Sequence, residues 1–152
     1  MKSRAAALSA CLLAAASCSP APPAAGVYVP NGSRIFEAKC ASCHQADGSG
    51  IPGICPPLST SPRLAGSAED TVRVMLLGMR GPITRGGVSY NGVMPAWRFD
   101  LGDAQIASTV NELRTRWRPN SPEVSEEMVR RVRAETAGQK LFPSPAELGL
   151  AE

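Results

Sequence analysis

Apolar residues recur at helical spacing in four stretches of the chain. Ile35 and Phe36 give an apolar face to a first short helix, which Asn31 or Ser33 can cap and which runs to about Lys39. Val72, Met75, Leu76 and Met79 line one face of a second helix, opened by Ser67-Ala68-Glu69-Asp70 in the manner of a capping box. Ile106, Val110, Leu113 and Trp117 mark a third, from near Asp103 to the break at Pro119. Ser121-Pro122-Glu123 predicts a fourth, with Ser as cap and Pro in the first helical position, ending near Thr136. Its apolar stripe is thin (Val124, Met128 and Val132) on an otherwise charged surface. No stretch reads as a clear strand and no internal repeat is present. Gln45 to Pro62 and Gly81 to Pro95 are rich in Gly and Pro and read as loops. The tail from Gly138 to Glu152 reads as loosely ordered.

The N-terminus has a different character. Met1 to Arg4 is basic, and Ala5 to Ala16 is apolar apart from Ser9 and Cys11. A bilayer span needs about 20 apolar residues, so this run has the length of a signal peptide core. Ala15-Ala16-Ser17-Cys18 resembles a bacterial lipobox, with Cys18 as the lipidated residue. Leu8-Ser9-Ala10-Cys11 fits the letters better but leaves too few apolar residues ahead of it. Cleavage near Ala24-Ala25 is the alternative and would give a soluble periplasmic protein. Ser19 to Ala25 is Pro/Ala-rich, an extended and semi-rigid tether. The expected division is a signal peptide over 1–17, a tether over 18–31, a folded domain over 32–118 and a helix with tail over 119–152. The expected location is the periplasmic face of a bacterial membrane, anchored at Cys18.

Charge narrows the partners. Sixteen Lys and Arg face thirteen Asp and Glu, and two of the basic residues, Lys2 and Arg4, lie in the leader. The remainder is nearly balanced, which argues against nucleic acid. Aromatics are only 5% of the chain, so a buried cofactor would help to fill the core.

The cysteines carry the chemistry. Of five, Cys11 falls in the leader and Cys18 is the lipid candidate. Cys40 and Cys43 stand in Cys-Ala-Ser-Cys-His, the C-x-x-C-H pattern of c-type haem attachment. Two thiols at this spacing can add to two vinyl groups on a porphyrin, and His44 then presents its imidazole to the iron. Zinc is the rival, with Cys40, Cys43, His44 and Cys55 as a Cys3His set, but adjacent Cys43 and His44 are poorly placed around one tetrahedral ion. A thioredoxin-like motif would need a βαβ context that the chain lacks. His44 is the only histidine, so a second iron ligand must be something else. Met75 reads as core, Met128 sits on the charged helix, and Met79 follows Gly78 at a helix end. Met94 lies in Tyr90-Asn91-Gly92-Val93-Met94-Pro95, where a turn and a proline fix the loop. Met94 is favoured and Met79 is its competitor.

Several separated motifs agree with this reading. Gly32-x-x-x-Phe36 precedes the Cys-His motif, then come Gly48-x-Gly50, Pro56-Pro57-Leu58, Leu77-Gly78-Met79-Arg80-Gly81-Pro82-Ile83, the Met94 loop and Leu101-Gly102-Asp103. Over Gly32 to Trp117 the chain resembles a class I c-type cytochrome, and most closely a single haem domain of the cytochrome subunit of bacterial membrane-bound alcohol and gluconate dehydrogenases. The resemblance implies an all-α fold of three core helices around one covalent haem, with the first and last helices crossing and a C-terminal helical extension. It implies that His44 and Met94 hold the iron, and that a backbone carbonyl from the Pro56-Pro57 region, assigned to Pro57, holds the other nitrogen of His44. It implies a one-electron carrier without catalytic residues. Its partners would be redox proteins, a donor dehydrogenase and an acceptor oxidase or cytochrome, with no nucleic acid. The alternatives are a haem peroxidase or gas sensor, if the Met ligand is labile, or an electron-transfer subunit of a larger dehydrogenase. Arg80, Arg85 and Arg98 could ring the haem edge, or be scattered surface charge. Two departures stand out: Glu112 occupies a position where an aromatic is usual, with Trp117 as the expected substitute, and Cys55 replaces an apolar residue.

Overall fold

The computed structural model describes residues 30–149. The expected signal peptide, the expected tether up to residue 29, and Cys11 and Cys18 lie outside the described residues. Six helices follow in order: α1 (Gly32–Lys39), α2 (Ala41–His44), α3 (Pro62–Ala65), α4 (Ala68–Leu77), α5 (Asp103–Trp117) and α6 (Glu126–Glu135). Asn31 caps α1, its side chain accepting from the Arg34 N–H at 3.0 Å. Ser67 caps α4 through the Asp70 N–H.

The first and last core helices meet at a point where only glycine fits. A Cβ on Gly32 would lie 2.1 Å from the Ser108 carbonyl oxygen on α5. One turn further along, Phe36 packs edge-on against Trp117, with ring centroids 5.8 Å apart. Glu112 stays out of this contact and pairs with Arg116 at 2.6 Å. The Arg116 guanidinium in turn lies 5.3 Å from the Phe36 ring. Trp117 therefore supplies the aromatic surface that Glu112 cannot. The main core combines Ile35 of α1, Val72, Met75 and Leu76 of α4, and Ile106 and Val110 of α5.

The C-terminal extension belongs to that core. Val129 and Val132 of α6 are fully buried in it, as is Val124 just ahead of the helix. The predicted start at Ser121 is four residues early: Ser125 is the cap, accepting from the Met128 N–H at 3.1 Å. The cause is Asn111 on α5. Its side-chain amide donates to the Val124 carbonyl at 2.9 Å, and its amide oxygen accepts from the Val124 N–H at 2.8 Å. With both backbone groups held sideways, Val124 cannot join a helix.

The tail, expected to be loose, is also bound. Pro143 and Pro145 are buried, and Leu148 packs near Ile83 and Tyr90. The Phe142 N–H donates to the Leu77 carbonyl at 2.9 Å, and the Arg80 N–H to the Pro143 carbonyl at 3.1 Å.

Four short strands also correct the sequence reading. β1 (Met79–Arg80) pairs antiparallel with β4 (Val93–Met94), and β2 (Ile83–Arg85) with β3 (Val88–Tyr90). Two or three residues are too few to show alternation. The visible signal was Gly86-Gly87, both at positive φ, a two-residue hairpin turn.

Replacing Asn111 with Ala removes both bonds to a buried backbone segment. The expected loss is about 1–3 kcal/mol, to be read as a lower denaturation midpoint with unchanged helical circular dichroism.

Candidate functional site

α1 delivers the Cys-x-x-Cys-His motif. The Cys40 N–H closes α1 on the Phe36 carbonyl at 2.8 Å. The Cys40 carbonyl then starts a new turn, accepting from Cys43 at 3.1 Å and from His44 at 2.9 Å. Residues three apart on such a turn share a face. Gln45, at φ 59°, ends it. Cys40, Cys43 and His44 line one cavity of about 240 Å³, together with Met79 and Met94. Most of the remaining lining is apolar, with Phe36, Leu64 and Leu113 from the helices and Ile83 and Tyr90 from the hairpin.

Burial holds the His44 pKa below its ordinary value, with a hydrogen bond to the Pro56 carbonyl partly offsetting this. The ring is therefore neutral at physiological pH and keeps a lone pair for a metal. The carbonyl that meets the ring is that of Pro56, whereas Pro57 only lines the cavity. The chain bends sharply here, because Ile51 and Cys55 exchange two backbone hydrogen bonds of 2.8 Å each. A Cβ on Gly50 would sit 2.2 Å from the Cys55 carbonyl oxygen, so glycine lets this bend close under His44. The Cys55 sulfur lies 3.2 Å from His44 Nδ1 and 3.8 Å from Nε2.

Burial pushes the thiols of Cys40 and Cys55 up to about 11, so both are protonated at neutral pH. Among the described residues, no three His, Cys, Asp or Glu side chains gather so as to hold a metal ion. The Cys3His arrangement is thus not assembled.

Met94 reaches the cavity through β4. Its cross-strand partner on β1 is Met79. Gly78 sets the distance between them. It stands at φ +69°, and a Cβ there would lie 2.6 Å from the Met94 carbonyl oxygen and 2.8 Å from the Ala96 nitrogen. Beyond Pro95, the Trp97 N–H bonds the Met75 carbonyl at 2.9 Å, which ties the Met94 loop to α4.

The arginines divide. Arg85 lines the cavity. Arg80 stacks on Phe142 at 5.6 Å, and Arg98 donates to the Thr136 carbonyl at 3.0 Å. Sequence reasoning missed Arg63, which lines the cavity while bound to Asp70 at 2.8 Å and to the Gly149 carbonyl at 2.6 Å. Its last partner is far along the chain, so no local signal could have marked it. Exposed Ile54 and Val93 stand together on the cavity lining, where the Gly92 N–H bonds the Ile54 carbonyl at 2.9 Å.

The donor set fits a c-type haem. Two thiols one helical turn apart, a neutral imidazole and the thioethers of Met75, Met79 and Met94 line one apolar space.

Comparison with known proteins agrees. The family model for cytochrome c matches residues 29–117. Cytochrome c-552 of Thermus thermophilus is 42% identical over 91 residues, covering 57% of this chain and 68% of that protein. The gluconate 2-dehydrogenase cytochrome c subunit of Pantoea cypripedii is 32% identical over 57% of this chain. The cytochrome c subunit of the quinone alcohol dehydrogenase of Gluconobacter oxydans is 30% identical over 60%. This chain spans only 20% and 19% of the length of those two subunits. The crystal structure of the c-type cytochrome XoxG from Methylobacterium extorquens AM1 is 22% identical, with 68% of this chain and 64% of that one covered and a TM-score of 0.37.

Gly78→Ala places a side chain at positive φ and against the Met94 backbone. The expected cost is about 2 kcal/mol or more in stability, measured by denaturant unfolding. Gly53→Ala, also at positive φ but with nothing within 4 Å, should cost less.

Proposed function

We infer what this chain does from one premise: it belongs to the cytochrome c family. It is an electron-transfer protein that carries one covalently bound c-type haem. The haem, when bound, supplies an iron that takes up and releases a single electron. The observation that carries the site assignment is the convergence of Cys40, Cys43, His44 and Met94 on one apolar cavity.

In this reading Cys40 and Cys43 would hold the haem covalently, each S–H adding across one haem vinyl group to give a thioether. His44 would hold the iron through one ring nitrogen, and the Pro56 carbonyl accepts from the ring, which orients the imidazole and raises its basicity. Met94 would hold the iron through its thioether, which would raise the potential. Held by both His44 and Met94, the haem would supply one-electron chemistry with no site left for a substrate. The exposed Ile54 and Val93 lie beside the cavity, where a partner protein would approach.

The donor is proposed to be a periplasmic or membrane-bound dehydrogenase, and the acceptor a component of the respiratory chain. Two relatives named as cytochrome c subunits of gluconate and alcohol dehydrogenases support this choice. The basic start, the short apolar run and Cys18 support export, lipidation at Cys18 and a place on the periplasmic face of a bacterial membrane. A peroxidase or gas-sensor reading would need an open iron face. Three methionines on the cavity (Met75, Met79 and Met94) and a single histidine in the chain weigh against it.

Expressed with a c-type haem maturation system, the protein should show covalent haem, a reversible one-electron wave and no carbon monoxide binding in the ferrous state. Cys43→Ser should leave one thioether, seen as a shifted reduced α-band and haem released more readily by denaturation. Absence of covalent haem in the parent protein would remove the assignment. Separately, Cys18→Ser should move the cytochrome from the membrane fraction to the soluble periplasm and abolish incorporation of labelled palmitate.

A further inference from the structure

Of the three methionines that line the cavity, Met75 is 4% exposed and packed in the main core, whereas Met79 and Met94 stand on the two strands β1 and β4. Met79 and Met94 are direct cross-strand partners in the β1–β4 pair, and the other register partners are Arg80 and Val93. In an antiparallel pair, opposed residues project from the same face of the ladder, with Cβ atoms about 4.5–5.5 Å apart. Burial agrees: Met79 and Met94 are both half-buried, whereas Arg80 and Val93 are both exposed. Both methionines line the cavity that holds His44. The ladder therefore offers two thioethers side by side to one space.

The two strands are anchored by different groups. β1 is held by the tail, through Phe142 N–H to Leu77 and Arg80 N–H to Pro143, with Leu148 packed in the cluster that Met79 joins. The segment after β4 is held by α6. There Arg133 donates to the Arg98 carbonyl, to the Leu101 carbonyl at 2.8 Å and to Asp103 at 2.6 Å. Loosening one strand leaves the anchors of the other in place. Methionine is unbranched and flexible, so its sulfur can sweep the distance between neighbouring cross-strand positions.

We propose that Met79 is a second axial thioether, which takes the iron position when Met94 leaves it. The exchange breaks one iron–sulfur bond and forms another. It moves no proton and needs no oxidant or reductant. Its effect is to keep the iron six-coordinate and closed to small ligands while Met94 is displaced. This rests on Met94 being the resident ligand.

The test compares four haem-loaded full-length proteins: the parent, Met79→Leu, Met94→Ala and Met94→Ala/Met79→Leu. Alanine at 94 leaves room for Met79, and leucine at 79 keeps volume while removing the sulfur. Readouts are the weak far-red methionine–iron band of the ferric protein, the shielded methionine methyl resonance of the ferrous protein, and carbon monoxide affinity. The expected result is that Met79→Leu matches the parent. Met94→Ala should keep the band and a methyl resonance at a new shift. The double variant should lose both and bind carbon monoxide at least about tenfold more tightly than Met94→Ala. If Met94→Ala already loses the band and binds carbon monoxide as the double variant does, Met79 is not a ligand and the Met94 assignment stands. If Met79→Leu alone abolishes the band while Met94→Ala preserves it, Met79 is the resident ligand, and both the Met94 assignment and this proposal fall.

Discussion

The structure depends on a steric constraint at the crossing of α1 and α5. Gly32 lets the backbone of one helix touch the Ser108 carbonyl of the other, and nothing larger fits. Fixing the start of α1 fixes its end, and its end is Cys40. Phe36, Leu113 and Trp117 then form the wedge behind the motif, in the small cluster that also takes in Cys40 and Leu58. The two cysteines and His44 thus inherit their place from a helix contact that holds no cofactor atom. Glycine recurs where the chain must come close elsewhere in the site. Gly50 serves beneath His44, and Gly78 serves beside Met94.

Much of this could be read from the chain. The Cys-x-x-Cys-His turn, the caps at Asn31 and Ser67 and the span of α5 are local features, and local rules place them well. The C-terminal third was read less well, for a physical reason. Ser121-Pro122-Glu123 is a good helix start on local grounds, but Asn111, on another helix, captures Val124 and delays the helix to Ser125. The tail has little apolar periodicity, yet it is fixed by backbone bonds to Leu77 and Arg80 that no side-chain pattern can announce. Pro56 and Pro57 are equally good candidates as neighbours of His44, and only the bend of the Ile51 to Cys55 loop decides that Pro56 faces the ring.

Charge has a structural role more than an electrostatic one. Arg63, Arg98, Arg118 and Arg133 each donate to main-chain carbonyls of distant segments. They replace the longer helices and extra aromatic residues that a larger core would supply.

Synthesis runs from the N-terminus, which gives the bound tail a consequence in time. The cysteines and His44 emerge early, and α1 with its turn is local. The strand that carries Met79 is completed only when Phe142 and Pro143 arrive, near the end of the chain. Arg133, which ties down the segment after Met94, also arrives late. A maturation enzyme working on the emerging chain would therefore meet its two thiols while the opposite side of the pocket is still open. The segment around Phe142 and Pro143 then acts as a latch, closing on the strand that carries Met79 only after the motif that precedes it has formed.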